Sequence, residues 1–155
     1  MIISSNDSIA GLVNEEIQDQ PAGTDLTVAR IERLTGRGRI DFDNSKREIA
    51  QGKEVQAGKL DGGEAYRVTY NEKISVPPDA IGLVFPRSSV MRNGCHLVTA
   101  VWDPGYEGRG QGLLQVLNPA GVVLEENARV AQMIFLEMAQ EVEEGYSGEY
   151  QGENT

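Results

Sequence analysis

Past Pro21, apolar and polar residues alternate in short runs at residues 26–31, 39–42, 65–70, 74–76, 81–85, 96–101, 112–117, 122–124 and 129–136. Gly, Pro, Asn and Asp interrupt the runs, which predicts strands and leaves little room for long helices. Several connections carry turn chemistry: Pro77-Pro78-Asp79, Asp103-Pro104-Gly105, Asn118-Pro119-Ala120-Gly121 and Glu125-Glu126-Asn127. The pattern therefore predicts an all-β domain, a sandwich or barrel closed on one core. A helical spacing occurs near the N-terminus, where Asn6 or Asp7 is placed to cap a short helix through Val13 with Ile9, Leu12 and Val13 on one face. Residues 45–63, with Gly52, Gly58, Gly62 and Gly63, read as a hairpin arm or mobile loop.

A chain of 155 residues is long enough to bury a core without disulfides or a structural metal. One domain is expected over residues 1–136, followed by an acidic tail, residues 137–155. After Arg129 no basic residue occurs, while Glu137, Glu141, Glu143, Glu144, Glu149 and Glu153 follow. Composition alone reads this tail as solvated and disordered. Tyr146, Tyr150 and Gln151 argue the other way, since they could close over a ligand and supply stacking or hydrogen bonds.

The formal charge of −10 opposes binding to a nucleic-acid backbone, which needs clustered Lys and Arg. A small polyanion remains open, because Arg87, Arg92 and Arg109 fall in one segment with Asp103 and Glu107. A divalent metal would supply the remaining positive charge. No segment approaches the roughly 20 apolar residues of a membrane span, and no basic start precedes an apolar run, so a cytosolic protein without a membrane partner is expected. With one cysteine, Cys95, and one histidine, His96, a chain cannot build a disulfide or a usual Cys/His zinc site. That excludes zinc-dependent base deamination of the His/Cys/Cys type. Both residues read as strand residues with no assigned role.

The candidate chemistry lies in residues 85–108, FPRSSVMRNGCHLVTAVWDPGYEG. Arg87 carries a permanent planar guanidinium, and Ser88 and Ser89 offer hydroxyls to phosphate oxygens if a helical turn follows. Asp103 then offers a base at an Asp-Pro-Gly-Tyr turn. Taken singly, Asp-Pro-Gly is an ordinary turn and Arg-Ser-Ser an ordinary helix opening. Together they suggest a nucleoside triphosphate site.

The same run resembles the dUTPase and dCTP deaminase superfamily, in which a Pro-Arg-Ser segment holds phosphates and a later Asp-x-x-Tyr turn holds the nucleoside. Further matches stand in the family's order at Ala22-Gly23-Thr24-Asp25-Leu26, Ala128-Arg129-Val130-Ala131-Gln132 and Tyr150-Gln151-Gly152. The resemblance implies an all-β jelly roll or distorted β-barrel and a homotrimer with sites at subunit contacts. It implies that Asp103 activates water for attack on the α phosphorus of dUTP, and that Tyr106 packs on the deoxyribose and excludes a ribose. Arg87, Ser88 and Ser89 resemble the phosphate loop, Gln132 a residue near the phosphates, and Tyr150 and Gln151 the closing tail. Asp25 resembles a carboxylate that helps place a Mg²⁺ water shell, though Gly-Thr-Asp is equally a turn or strand start. Arg92 matches an arginine of the deaminase branch and would reach the nucleotide from a neighbouring subunit.

Two reactions compete within that superfamily. Deamination without zinc needs a carboxyl group at the base, whereas hydrolysis between the α and β phosphates needs Asp103 and Mg²⁺. Aligning Asn118 with the deaminase pattern puts Gln115 where the glutamate belongs, and an amide cannot transfer protons as a carboxyl group does. Gln115 is then expected to touch the base only as a polar group, and Glu107 is the carboxylate left that could substitute. The length of Ala100-Val101-Trp102-Asp103 also matches the dUTPase pattern. The tail departs from that branch: Gly148-Glu149-Tyr150-Gln151-Gly152 resembles a deaminase ending, with Glu149 in place of a lysine. The expected activity is dUTP hydrolysis to dUMP and pyrophosphate. The alternatives are dCTP deaminase, alone or bifunctional, and a catalytically silent nucleotide-binding trimer. A sugar-binding jelly roll is poorly served by Trp102 and Tyr106 alone.

Overall fold

The computed structural model describes residues 1–3 and 7–155. In chain order it builds β1 (Ile2–Ile3), β2 (Ile9–Ala10), α1 (Glu15–Gln18), β3 (Asp19–Gln20), β4 (Gly23–Leu34), β5 (Gly52–Val55) and β6 (Gly58–Leu60). Then come β7 (Ala65–Tyr70), β8 (Lys73–Ser75), β9 (Ala80–Pro86), α2 (Ser88–Arg92), β10 (Cys95–Val98), β11 (Glu107–Gly108), β12 (Gln111–Val116), β13 (Val122–Leu124) and β14 (Arg129–Glu137). The main sheet runs β1-β14-β4-β7-β12-β10, with β3 and β5 on β4 and β9 on β14, and two small sheets, β11-β8-β2 and β13-β6, fold against it. Each pairing is antiparallel, and the result is a distorted jelly-roll barrel.

β4 belongs to two parts of the barrel. Its first half pairs with β14, its second half with β5 and β7, and a register shift between Val28 and Arg30 turns the strand at the junction. Alternation then sorts side chains: Leu114 and Val116 of β12 and Met133 and Phe135 of β14 point inward and are essentially inaccessible. With Tyr66, Tyr70, Leu26, Leu60 and Ile74 they form one core.

One polar knot lies inside that core. The Glu72 carboxylate is fully buried and accepts from Gln18 Nε2 (2.7 Å), Thr27 N (3.0 Å) and Thr27 Oγ1 (2.6 Å). It ties α1, β4 and the β7–β8 turn together, with every bond from a neutral donor.

Three expectations need correction. The N-terminal helix is α1, capped by the Asn14 side chain on Ile17 N at 3.1 Å, whereas Ile9 and Ala10 pair as strand with Ile74 and Lys73. Asn6, named as a cap, lies outside the described residues. Cross-strand bonds to β8 outweigh a helical spacing this short. Residues 39–42 make only an isolated bridge, Arg39 to Glu48, because Ile40 and Phe42 find no sheet to cover them and stay exposed. Strands β5 and β6 arise instead inside the glycine-rich segment. Lys53 and Glu54 of β5 carry no hydrophobic alternation, so only its ladder with residues 31–34 makes it a strand.

Candidate functional site

The Asp103 turn is built by local rules. Tyr106 N donates to Asp103 O at 3.1 Å, and Gly105 at φ +80° follows Pro104, the arrangement of a type II turn. Trp102 exchanges both backbone bonds with Gly82, and Gly105 N donates to Val76 O, so the turn is held from both sides. The Asp103 side chain is exposed and, among the described residues, has no ion pair or side-chain hydrogen bond. It faces a cavity of about 330 Å³ whose walls include Trp102, Tyr106, Gln111, Tyr146, Tyr150 and Glu153.

Aromatic rings form one wall. Trp102 and Tyr106 meet edge to face with centroids 5.1 Å apart, and Tyr106 meets Tyr146 at 5.8 Å. The Tyr106 hydroxyl donates to Glu153 Oε1 at 2.9 Å. Burial and this neighbouring carboxylate push the phenol well above its ordinary value, so it stays protonated. Burial also raises the Glu153 carboxyl, opposed by the bond from Tyr106.

The tail supplies part of that wall. Tyr146 N donates to Pro104 O (2.7 Å), Gly152 N to Glu107 O (2.7 Å) and Arg109 N to Glu153 O (3.0 Å). Gln151 is committed to the turn itself: its Nε2 donates to Gly105 O and its Oε1 accepts from Glu107 N, both at 3.0 Å. Glu107 is ion-paired with Lys73 and is not part of the cavity wall.

A second cluster forms elsewhere. Register places Gln132 between Asp25 on β4 and Phe85 on β9, two residues before Arg87. Three distant motifs are thereby neighbours in one ladder. The Asp25 carboxylate is 2% exposed, and its Oδ2 lies 2.8 Å from Arg87 Nε and 3.1 Å from Arg129 Nη1. Burial raises this carboxyl while Arg87 and then Arg129 lower it, leaving it above its ordinary value. Ser88 and Ser89 open α2 and are exposed, with Arg92 at its end. Ser89 borders a smaller hollow of about 190 Å³ beside Cys95 and Arg129.

The predicted residues thus fall into two groups within a chain. Asp103, Tyr106 and Tyr150 border the cavity at the Asp103 turn, with Gln151 pinning that turn, while Asp25, Arg87, Ser88, Ser89, Arg92 and Gln132 are absent from its walls. Gln115 is absent too. It sits in β12 between His96 and Ala65, and the amide that reaches the cavity is Gln111, four residues along the same face, or about 13 Å. Strand parity made both amides candidates, but only the ladder says which end of β12 is open. Sequence reasoning also missed Glu153 as a wall residue and Arg129 as the second partner of Asp25. The quoted Ala-Arg-Val-Ala-Gln motif contained Arg129, whereas nothing set Glu153 apart from the other tail glutamates.

Electrostatically the cavity is unsuited to hold a triphosphate alone. Asp103 and Glu153 bring negative charge, and the guanidinium in its wall, Arg67, is already paired with Glu32 through two 3.1 Å bonds. That bonding lowers the Glu32 carboxyl, so the pair is ionic and its cation is spent. Among the described residues, no three His, Cys, Asp or Glu side chains converge to hold a metal ion.

Comparison with known proteins is consistent across sequence and fold. Residues 3–138 match the family model described as dCTP deaminase-like. The probable deoxyuridine 5'-triphosphate nucleotidohydrolase of Methanosarcina mazei is 46% identical over 148 residues, covering 92% of this chain and 86% of that one. The deoxyuridine 5'-triphosphate nucleotidohydrolase of Methanocaldococcus jannaschii is 42% identical over 159 residues, 98% of this chain and 99% of that one. Among solved structures, the 2'-deoxycytidine 5'-triphosphate deaminase from Agrobacterium tumefaciens superposes with a TM-score of 0.62 at 22% identity, over 84% of this chain. This chain spans 44% of that deaminase's length. A Staphylococcus bacteriophage 80alpha dUTPase mutant with dUpNHpp gives a TM-score of 0.52 at 16% identity, over 97% of this chain and 91% of that one. At such identities these two likenesses speak for the fold.

Proposed function

The chain belongs to the dCTP deaminase-like family, and on that ground we propose that it is a dUTP diphosphatase, hydrolysing dUTP to dUMP and pyrophosphate. The observation that carries this reading is the unpaired Asp103 carboxylate, fixed by a type II turn beside the Tyr106 ring at the mouth of a nucleoside-sized cavity. Asp103 takes the proton of a water as its oxygen attacks the α phosphorus, and the bond from that phosphorus to the bridging oxygen breaks, releasing pyrophosphate. Tyr106, held between Trp102 and Tyr146, packs on the deoxyribose and leaves no room for a 2'-hydroxyl. The tail, residues 137–155, closes the site from above. The curated relatives, named for dUTP hydrolysis at 46% and 42% identity, support the choice of substrate.

The phosphates need cations that the Asp103 cavity lacks. Arg87, Ser88, Ser89, Arg92 and Gln132 carry the chemistry for phosphate oxygens, yet in one chain they lie outside that cavity. A homotrimer that brings the Arg87 cluster of one copy to the Asp103 cavity of another resolves this. Phe85, Met91 and Val101, each more than half exposed at 53%, 59% and 54%, support such burial.

Mg²⁺ enters this reading with the substrate. Asp25 fits the role of metal holder poorly, because one of its oxygens already bridges two guanidiniums. A Mg²⁺ ion usually keeps several waters and binds through substrate phosphates rather than in a protein cage. Its chemistry would be to neutralise the triphosphate.

Deamination is the second reading. Besides Asp103 the one carboxyl bordering the cavity among the described residues is Glu153, which is engaged by the Tyr106 hydroxyl, and β12 presents the amide of Gln111 rather than a carboxyl, which favours hydrolysis of the phosphate chain over base chemistry. Incubation with dUTP and with dCTP, followed by chromatography, tests both. Pyrophosphate and dUMP from dUTP are expected, and uridine nucleotides from dCTP would overturn the assignment. Asp103→Asn should abolish pyrophosphate release while nucleotide still binds; a wild type that binds nucleotide without turnover favours the silent trimer.

A further inference from the structure

Residues 36–51 form an arm outside the sheets. Thr35 N and Gly36 N donate to Gln51 O at its base (2.9 and 3.3 Å), and Arg39 and Glu48 exchange backbone bonds of 2.8 and 3.0 Å halfway along. Every residue from 42 to 49 is exposed except Arg47, whose side chain is 22% exposed. What covers it is the tail. Its guanidinium carbon stands 5.5 Å from the centroid of the Tyr150 ring, and the same group is ion-paired with Glu149. Two residues further, Ile49 joins Tyr150 in the wall of the Asp103 cavity.

From Tyr150 the contacts continue inward. Tyr150 N donates to the Tyr146 hydroxyl at 3.3 Å, the Tyr146 ring meets Tyr106 at 5.8 Å, and Tyr106 meets Trp102, the neighbour of Asp103 in the chain, at 5.1 Å. Charge explains why an outside cation is needed. The tail has no basic residue and the whole chain carries −10, so tail and body repel each other. Among the described residues, Arg47 is the one cation ion-paired with a carboxylate of residues 138–155.

We propose that Arg47 is a positioning residue for the nucleotide reaction: from the arm, it clamps Tyr150 and Glu149 and so holds the tail across the Asp103 cavity. The proposal rests on the reading of that cavity as the nucleotide site. A planar guanidinium suits the task because it stacks on a ring and pairs with a carboxylate at once, whereas a lysine ammonium keeps the charge and loses the planar contact. Because Arg47 does not itself line the cavity and reaches it only through Tyr150, its loss should weaken substrate capture and leave the chemical step intact.

The full-length chain tests this with Arg47→Ala, Arg47→Lys, Tyr150→Ala and the Arg47→Ala/Tyr150→Ala double variant. Trp102 is the only tryptophan and borders the cavity, so acrylamide quenching of its fluorescence reports tail position without any substrate. Arg47→Ala should at least double the quenching constant and speed tail cleavage by a Glu-specific protease. With dUTP it should raise KM about fivefold with kcat within twofold, Arg47→Lys should recover part of that loss, and the double variant should fall short of the product of the two single effects, because one of the two Arg47 contacts is already lost in Tyr150→Ala. Unchanged quenching and cleavage in Arg47→Ala, or effects that multiply in the double variant, overturn the clamp. Failure of the underlying reading shows separately, as full turnover retained by Asp103→Asn whatever happens to the tail.

Discussion

Asp25 and Arg87 form an ion pair of 2.8 Å between β4 and the start of α2, and the same carboxylate oxygen takes Arg129 at 3.1 Å. One nearly inaccessible carboxylate therefore aligns two guanidiniums that the sequence places far apart. Asp25→Asn removes the charge and keeps the shape. The two arginines should then repel, with a loss of about 2 kcal/mol in stability and a KM for dUTP raised about tenfold. Urea unfolding and steady-state kinetics measure the two effects, and an unchanged KM would separate Asp25 from the phosphate site.

If the Arg87 cluster serves the Asp103 cavity of another copy, two inactive proteins should repair each other. Arg87→Ala and Asp103→Asn, mixed after unfolding and refolded together, should regain activity, because some mixed sites carry both native groups. Refolding each alone should give none. Activity that fails to return although mixed trimers form would place both groups in one chain's site.

The buried Glu72 carboxylate gives a stability prediction independent of function. Glu72→Ala leaves Thr27 N without its acceptor in the core and removes one of the two acceptors of Gln18 Nε2, which keeps Asp25 O, at about 1–3 kcal/mol for each buried donor left unpaired. Glu72→Gln turns an NH₂ toward one of those donors and should also destabilise, by about 2 kcal/mol. The denaturation midpoint should fall in both variants with an unchanged slope.

Tail docking should depend on pH through Glu153. Burial raises its carboxyl above the ordinary 4.5 when the tail lies on Tyr106, and the pKa returns to 4.5 when the tail swings free. A group raised in the docked state favours docking when protonated, so the Glu153 contribution to docking is full below pH 4.5 and is lost as pH rises through the docked pKa. Trp102 quenching should increase over that interval, and Glu153→Gln should flatten the change.

Much of this protein could be read from its residue pattern. Alternation at 65–70, 112–117 and 129–136 anticipated β7, β12 and β14, because each has one face on the core and one toward water. Asp-Pro-Gly-Tyr predicted its own turn, since Pro presets one backbone angle and Gly permits the positive φ that follows. The family resemblance likewise needed only local motifs.

Other features depended on contacts between distant residues, which no local pattern encodes. β5 is a strand because β4 offers it a ladder, and 39–42 is not one because nothing covers Ile40 and Phe42. Gln111 rather than Gln115 meets the cavity because register, not composition, decides which end of β12 lies open. Composition described the tail as solvated, yet backbone bonds to residues 104–109 and a ring under Arg47 hold it down. Turn chemistry and burial period act over a few neighbours and are written in the chain itself, whereas pairing between motifs exists only once the barrel has closed.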